Sequence, residues 1–246
     1  MNKRIEILGT PLDCVTMDES IEIIDQAIQN NQQILHTAIN AGKIVLMCED
    51  EDLYESTTKA DLINADGQAI VWASRLLGKP LPERVSGIDL MDNIVQLASK
   101  RGYKIYFLGA KDEVVLKVVN HYEQKFGPEI IAGYRNGYFD DNRAVINDIN
   151  LSGADIIFVG IRSPKKEIFL FENRDQLIPN LLMGVGGSFD VISGAIKRAP
   201  LWMQNNGLEW LYRVIQEPRR MWRRYLIGNI KFIMILLKEF LNFRRV

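Results

Sequence analysis

The sequence predicts an α/β fold: a Rossmann-like, doubly wound and mostly parallel sheet, followed by a C-terminal helical appendage. Short apolar strand segments alternate with helix segments over residues 1–200, as in the βαβ units of a parallel sheet. Three of the strands end in glycine turns, at Gly109, Gly160 and Gly184. Residues 201–246 change to a basic, aromatic-rich tail. We therefore predict an α/β domain over 1–200 and a helical appendage over 201–246.

The predicted strands are short, apolar and bounded by turn residues. They lie at residues 4–8, 33–39, 61–64, 104–108, 129–134, 155–159 and 181–183. The predicted helices carry start and stop signals. Thr16 and Glu19 form a capping box for a first helix that runs to about Gln29. Further helices are predicted near 41–48, at 53–60, 68–77, 111–126 and 142–151, with one ending at Gly102 and one opening at Pro164.

The bulk composition is that of a globular protein. Its 246 residues are 47% hydrophobic and 25% charged, enough for a real core. Two cysteines, Cys14 and Cys48, favour a reducing compartment over a disulfide scaffold. Glu6 interrupts the first apolar run, and Lys231 and Lys238 bracket only six apolar residues. We therefore expect no signal peptide and no membrane span, and a cytoplasmic location.

Five strand ends are predicted to meet at one rim of the sheet. Ligands of doubly wound sheets bind beyond the carboxyl ends of the strands. The residues that end these strands are Asn40, Asp66, Gly109, Gly160 and Gly184. This rim is the predicted binding site.

The chain centres on the glycine turn at residues 184–187. Gly184, Gly186 and Gly187 let a ligand approach the backbone, their amides can form an anion nest, and Asp190 can reach a ribose hydroxyl. The alternative is a tight strand-to-helix turn without a ligand. The dinucleotide fingerprint requires a glycine where Phe189 stands, and no Walker A motif occurs. The turn therefore indicates another kind of nucleotide-diphosphate pocket.

Two further rim residues are candidates for chemistry. Asp66 follows a strand and precedes a glycine, the placement that a general base requires; an Asx turn or helix cap is the alternative. Arg84 is a candidate diphosphate clamp, or else a surface arginine. His36 and His121 are isolated, so no metal site is expected.

An acidic run resembles a metal motif. Residues 50–52 read Asp-Glu-Asp, and many sugar transferases hold a divalent cation by an Asp-x-Asp sequence. The run lies between two predicted helices. We interpret it as a solvated charged segment.

The tail carries a third signal, its charge. Residues 210–246 contain nine Lys/Arg and two acids, a net charge of +7, whereas the 21 bases and 29 acids before them leave −8. Pro218 splits the tail into two helical pieces, and Trp222 and Tyr225 contribute an aromatic side. A cluster of arginines shares one helix face: Arg219, Arg220, Arg223 and Arg224.

A basic, amphipathic and aromatic helix is typical of a membrane-docking segment on anionic lipid. The alternative is a helical hairpin packed on the body or on a second subunit. A nucleic-acid partner is disfavoured, because the rest of the chain is acidic.

Together these stretches resemble the WecG/TagA/CpsF glycosyltransferases of bacterial surface-polymer synthesis. The resemblance covers nearly the whole chain. The matching stretches are residues 63–67, 80–87, 106–110, 160–167, 184–200, 207–213, 217–218 and 224–225.

The resemblance implies transfer of an N-acetylhexosamine-type sugar from a UDP donor to a polyprenyl-diphosphate-linked sugar in polysaccharide or teichoic acid synthesis. It implies inversion at the anomeric carbon, no cofactor and no metal. The family fold is a nucleotide-binding α/β domain with a membrane-docking appendage, often in a homo-oligomer. We therefore expect a peripheral enzyme on the inner face of the cell membrane.

Position by position, the resemblance implies that Asp66 is the catalytic base, that Arg84 contacts a phosphate and that Asp190 lies at the UDP site. The full candidate donor-binding set is Asn40, Arg84, Gly109, Ala110, Gly160, Ile161, Arg162, Lys165, Lys166, Gly184, Gly186, Gly187, Phe189 and Asp190. Candidates for the acceptor diphosphate or the membrane are Arg213, Arg219, Arg220, Arg223 and Arg224.

Two positions depart from the family pattern. The family reads Thr-x-Asn where this chain has Ala38-Ile-Asn40, and Thr37 lies one residue early, on the other strand face. Lys166 replaces a neutral amide, which suggests a UDP-hexuronic acid donor whose carboxylate it would pair with, or a lysine that points to solvent. Two other classes stay open: a nucleotide-dependent oxidoreductase, and a catalytically inactive nucleotide-binding relative.

Overall fold

The computed structural model describes residues 3–243, apart from the side chains at positions 205, 220, 221, 224 and 243. Its strands are β1 (Arg4–Ile7), β2 (Thr10–Asp13), β3 (Ile34–Ile39), β4 (Leu62–Ala65), β5 (Ile105–Gly109), β6 (Ile131–Arg135), β7 (Ile156–Gly160) and β8 (Leu181–Gly184). Its helices up to residue 126 are α1 (Met17–Gln29), α2 (Ala41–Met47), α3 (Glu51–Thr58), α4 (Gln68–Leu76), α5 (Gly87–Arg101) and α6 (Asp112–Phe126). The later helices are α7 (Asn142–Leu151), α8 (Lys165–Glu172), α9 (Ser188–Ile192), α10 (Leu201–Asn205), α11 (Glu209–Gln216) and α12 (Pro218–Phe243).

Six strands form one parallel sheet in the order β4-β3-β8-β7-β5-β6. Successive side chains of a strand point to opposite faces. In β7, Ile156 and Phe158 enter one core cluster, and Ile157 and Val159 enter the other. Helices α1, α5 and α6 pack in the first cluster, and α2, α3, α7 and α8 in the second. The predicted α/β, doubly wound parallel sheet is confirmed.

The first predicted strand lies outside this sheet. It pairs antiparallel with β2, which the sequence did not indicate, in a separate hairpin. The turn residues Leu8 and Gly9 have φ of 53° and 68°, and a two-residue hairpin turn favours this region. Leucine is unusual there and Pro11 discourages a strand, so the hairpin had no clear sequence signal. Asp13 binds it to the sheet by accepting from the Ile63 amide at 2.8 Å.

The tail contacts the body of the protein. Pro218 separates α11 from α12, as predicted. On α12, Phe232 is buried in the same core cluster as α2, and Lys231 forms an ion pair with Glu49. Glu239 accepts from the Leu8 amide at 3.2 Å. These contacts are those of a helical segment packed on the body, and the domain division after residue 200 stays a prediction.

A second side of α12 is apolar and exposed. Its side chains, spaced by three or four residues, are each between 47% and 57% exposed: Trp222, Leu226, Ile230, Ile233, Leu237 and Leu241. We call these six residues the apolar stripe. Over the described residues, no helix combines the length and the apolar character needed to cross a bilayer. Membrane docking by this tail stays a prediction.

Candidate active site

The five predicted strand ends do meet at one rim. Gly109 is the register partner of Gly160, and Gly184 pairs with Val159. On the other side of β8 lie β3 and β4, so that Asn40 and Asp66 follow adjacent strands. The rim therefore gathers glycines at the middle of the sheet and polar side chains beside them.

The sheet reverses its winding between β5 and β7. The chain leaves β5 for β6 on one side and leaves β7 for β8 on the other. Such switch points open a crevice at the carboxyl ends. Here the Ala110 amide donates to the Gly160 carbonyl at 3.2 Å, and a Cβ on Gly109 would collide with the Gly160 backbone. Glycine is required at position 109, because its φ is 143°.

A cavity of about 570 Å³ adjoins the Gly109 turn, where α6 begins. Its lining is Lys111, Asp112, Glu113, Asn136 and Tyr138. The loop before α7 reaches this turn, because the Gly137 amide donates to the Ala110 carbonyl at 2.8 Å. A Cβ on Gly137 would also lie 3.1 Å from Ile161 Cγ1, so Ile161 contacts the same loop.

Phe189 is a core residue. Its side chain is fully buried, with its ring 5.9 Å from that of Phe107. A Cβ on Gly160 would collide with the Phe189 ring, so the packing of this ring requires glycine at position 160. Phe189 was predicted as a donor-binding residue; its ring packs in the core against the Gly160 turn, and its contact with a donor stays a prediction.

The glycine turn lies between two cationic side chains. A Cβ on Gly184 would lie 3.0 Å from Lys166 Cε, and one on Gly187 would lie 3.6 Å from Arg213 Nη1. Gly186 has a φ of 53°. Asp190 Oδ2 lies 4.0 Å from that Gly187 position. Because α9 has only five residues, its dipole contributes little positive charge at this turn.

Asp66 occupies a recess between β4 and the start of α5. Its amide donates to the Ile39 carbonyl at 2.7 Å, and its carboxylate lies near Gly87. Asp66 does not cap α4, which has no side-chain cap, but its carboxylate accepts from the backbone of Gly87 at the first position of α5. Burial raises the pKa of Asp66, Glu209 raises it further, and Arg84 opposes the shift. A raised pKa brings a carboxylate closer to the pH range in which general bases work best.

Arg84 lies beside Asp66 but already has a partner. Its Nη1 donates to Glu209 Oε2 at 2.6 Å, and the Arg84 side chain is only 15% exposed. Glu209 Oε1 lies 3.9 Å from Arg198 Nε, and Arg198 holds Asp89 with two hydrogen-bonded contacts, at 2.6 and 2.7 Å.

Sequence reasoning missed Asp89, Arg198 and Glu209 as members of this cluster. Glu209 and Arg213 stand four residues apart in the 207–213 stretch, so one face of α11 carries both. That spacing was the one signal available.

The structure shows why Thr37 cannot take the place of the family threonine, which aligns with Ala38. Its side chain is buried on the far face of β3, where it accepts from Lys43 Nζ at 3.0 Å. Ala38 instead faces the rim near Gly87. As expected from strand alternation, Thr37 does not replace a rim threonine. Asn40 is exposed and caps α2 by accepting from the Lys43 amide at 3.0 Å.

Lys166 is buried in a cluster of charges. Its Nζ contacts Glu167 and donates to Ser163 Oγ at 2.6 Å, and Lys43 Nζ lies 2.7 Å from the same Glu167 carboxylate. Burial alone would raise the pKa of Glu167, but Lys43 and Lys166 outweigh it and lower the pKa to about 2. The alternative of a solvent-pointing Lys166 is wrong. The hexuronic-acid hypothesis loses its basis, since a carboxylate of the protein already occupies the lysine.

The remaining cationic candidates are exposed. Arg162 and Lys165 flank the start of α8 at the rim. Arg219 and Arg223 lie on the first turns of α12, with Arg223 5.3 Å from the Trp222 ring. The side chains of two candidates lie outside the described residues: Arg220 and Arg224.

No metal-ligand constellation occurs within the described residues, where no three His, Cys, Asp or Glu side chains are grouped. Asp50 caps α3 by accepting from the Leu53 amide at 2.9 Å, and the acids after it lie exposed on the first turn. His36 Nε2 lies 2.9 Å from Asn64 Oδ1, and burial lowers the pKa of His36 to about 4. It is therefore a neutral core histidine.

Comparison with known proteins gives consistent results. A family model described as "Glycosyl transferase WecG/TagA/CpsF family" matches residues 5–246. The chain is 37% identical over 187 residues to an N-acetylglucosaminyldiphosphoundecaprenol N-acetyl-beta-D-mannosaminyltransferase of Bacillus spizizenii, covering 76% of this chain and 72% of the relative. It is 33% identical over 245 residues to a protein of the same name from Staphylococcus aureus, covering 98% of this chain and 94% of the relative.

Proposed function

Because this chain belongs to the WecG/TagA/CpsF family of glycosyltransferases, we propose that it transfers N-acetylmannosamine or a close relative from a UDP donor. The acceptor is a sugar linked to polyprenyl diphosphate. Both relatives are named for transfer of N-acetylmannosamine to N-acetylglucosaminyl-diphosphoundecaprenol. The single observation that carries the proposal is a recessed carboxylate, Asp66, flanked by Arg84 and Arg213 beside a glycine turn.

The proposed reaction is a single displacement. Asp66 removes the proton from the acceptor hydroxyl, and that oxygen forms a bond to the anomeric carbon of the donor. The bond from this carbon to the UDP oxygen breaks, and UDP leaves with the electron pair. Attack opposite to the leaving group inverts the configuration. The raised pKa of Asp66 suits a group that must hold this proton transiently.

The leaving diphosphate requires positive charge. Arg213 Nη1 lies 3.6 Å from where a Cβ on Gly187 would stand, at the rim end of β8. A guanidinium binds phosphate oxygens with two hydrogen bonds, and its charge stabilises a developing oxyanion. We propose that this guanidinium does the work that a divalent cation does in other sugar transferases. Activity should therefore persist in the presence of a chelator.

The proposed location is peripheral, on the inner face of the cell membrane. The acceptor is a lipid, so the enzyme must meet a bilayer. The apolar stripe and the exposed Arg219 and Arg223 together suit an interfacial helix on anionic lipid. A homo-oligomer is part of the same proposal, supported by the family resemblance alone.

Ligand-dependent melting is the first test. A ligand at 100 times its Kd stabilises a protein by about 2.7 kcal/mol. For a chain of this size, that raises Tm by roughly 5–10 °C. We expect UDP to give such a shift and NAD and NADP to give none. A shift with NAD or NADP alone would instead support the oxidoreductase alternative.

Transfer itself is the second test. Full-length protein is incubated with UDP-N-acetylmannosamine and N-acetylglucosaminyl-diphosphoundecaprenol, with and without EDTA, and product lipid is measured. We expect turnover in both conditions. UDP binding without turnover across a panel of UDP-sugars would support the inactive relative, and loss of turnover with EDTA would overturn the metal-independent mechanism.

A further inference from the structure

We propose that Glu209 is a positioning residue of this transferase: it holds Arg84 beside Asp66 and docks α11 so that Arg213 faces the glycine turn. The reaction it would serve is the one proposed above. Glu209 itself need not touch the substrate. Its effect is on the placement of two arginines.

The Arg84–Glu209 pair joins distant parts of the chain. The two residues are 125 positions apart, and Nη1 and Oε2 lie 2.6 Å apart. The Arg84 side chain is 15% exposed and that of Glu209 is 32% exposed. A partly buried pair is screened less than a fully exposed one, and a charged hydrogen bond holds its geometry.

Glu209 also connects to a second ion pair. Its Oε1 lies 3.9 Å from Arg198 Nε, and the Arg198 guanidinium binds Asp89 on the first turn of α5. The Nε of Arg198 is buried and has no hydrogen-bond partner among the described residues, so Glu209 is the carboxylate nearest to satisfying it. Glu209 therefore ties α11 both to Arg84 and to the segment that follows α9.

Helix α11 packs on α12, where the Trp210 and Tyr225 rings lie 5.9 Å apart, and it has few polar attachments besides those of Glu209. None of its residues is buried. Near its C-terminal end, Gln216 donates to the Lys197 carbonyl at 2.9 Å and accepts from the Lys197 amide at 3.2 Å. Because Gln216 supplies the hydrogen bonds of one end and Glu209 the ion pairs of the other, loss of Glu209 should loosen the turn that carries Arg213. That side chain lies one helical turn after Glu209, on the same face.

The charges facing Asp66 are those of Arg84, Glu209 and Arg213. Two of the three lie on α11, and the third is the partner of Glu209. Displacing α11 therefore changes the whole electrostatic surroundings of the proposed base, and the cation that faces the leaving group moves with it. We expect the loss to fall on kcat, because these groups act at the reacting centre.

The test compares Glu209→Gln with Glu209→Asp, Arg84→Gln and the Arg84→Gln/Glu209→Gln double variant. Glu217→Gln is the matched control, since it removes the same charge two turns later on the same tail. Amide hydrogen exchange of residues 209–216 reports docking without requiring activity. We expect exchange to rise roughly tenfold in each neutral single variant and no further in the double variant, as for two partners of one interaction.

Steady-state kinetics report positioning. We expect Glu209→Gln to lose roughly tenfold or more in kcat with an unchanged urea midpoint, and Glu209→Asp, which keeps the charge, to regain part of it. Unchanged exchange in both neutral single variants would overturn the docking role. Faster exchange with unaltered kcat would overturn the positioning role. If wild-type protein transfers no sugar, the proposed function fails, while the exchange data still decide whether Glu209 docks α11.

Discussion

The buried cluster around Glu167 makes a specific prediction for stability. One carboxylate there faces two lysines, Lys43 and Lys166, and all three side chains are buried. Replacement of Glu167 by glutamine would leave two ammonium groups in the interior without a counter-charge. Breaking a buried pair by removing one partner costs about 3–5 kcal/mol. Glu167→Gln should therefore be strongly destabilising at pH 7.

The pKa of Glu167 gives an independent figure. The lysines lower it from 4.5 to about 2. Each pKa unit corresponds to about 1.4 kcal/mol, so the ionised Glu167 in this cluster contributes about 3 kcal/mol to the free energy of unfolding. The folded pKa lies below the unfolded one, so this stability is present above pH 4.5 and is lost as the pH falls from 4.5 towards 2. The free energy that corresponds to the pKa shift is therefore similar to the cost of breaking a buried ion pair.

Urea unfolding at pH 7, 5, 4 and 3.5, followed by circular dichroism, measures both effects. The control is Glu172→Gln, an exposed position on the same helix, which should change stability by no more than about 0.5 kcal/mol. We expect the gap between wild type and Glu167→Gln to be constant down to about pH 5 and to narrow below it. Equal stability of the two glutamine variants, or a gap independent of pH, would refute the reasoning.

Three further predictions follow from the site and the tail. Asp66→Asn should lower turnover by roughly 10²–10⁴-fold while UDP still raises Tm; near-normal turnover would exclude Asp66 as the base. Gly160→Ala should destabilise by about 1–3 kcal/mol through its collision with a buried ring, whereas Gly228→Ala, with open space around it, should stabilise the helix by about 0.5–1 kcal/mol. Equal urea midpoints for these two variants would contradict that packing. Arg219→Gln/Arg223→Gln should weaken sedimentation with anionic vesicles roughly 30-fold, at about 1 kcal/mol per residue; unchanged sedimentation would remove these arginines from the lipid contact.

The sheet and its rim were predictable because their signals are local. Strand ends are marked by glycines or by a polar residue directly after an apolar run, as at Gly109 and Asp66. Parallel strands then bring those ends together without further information. The capping box of Thr16 and Glu19 is a signal of the same kind, and the structure contains it.

The other features depend on tertiary contacts. Arg84 and Glu209 are 125 residues apart, and no local pattern pairs them. Lys166 appeared as an extra cation at a helix start, but whether it meets solvent or a buried carboxylate depends on the packing of α8 against β3 and α2. Phe189 follows a glycine turn in sequence, yet the tight approach of Gly160 places its ring in the core.

The pairing of charges around Asp66 distinguishes the roles of the arginines. Two of them carry acidic partners: Arg84 binds Glu209, and Arg198 binds Asp89. Their charges are largely compensated before any ligand arrives, and a phosphate would have to compete for them. Arg213 makes no hydrogen bond or ion pair with the described residues, and its Nη1 lies beside Gly187 of the glycine turn. Its charge is available without displacement of a partner. An incoming diphosphate should therefore meet Arg213 first, with Arg84 held in place to act on Asp66.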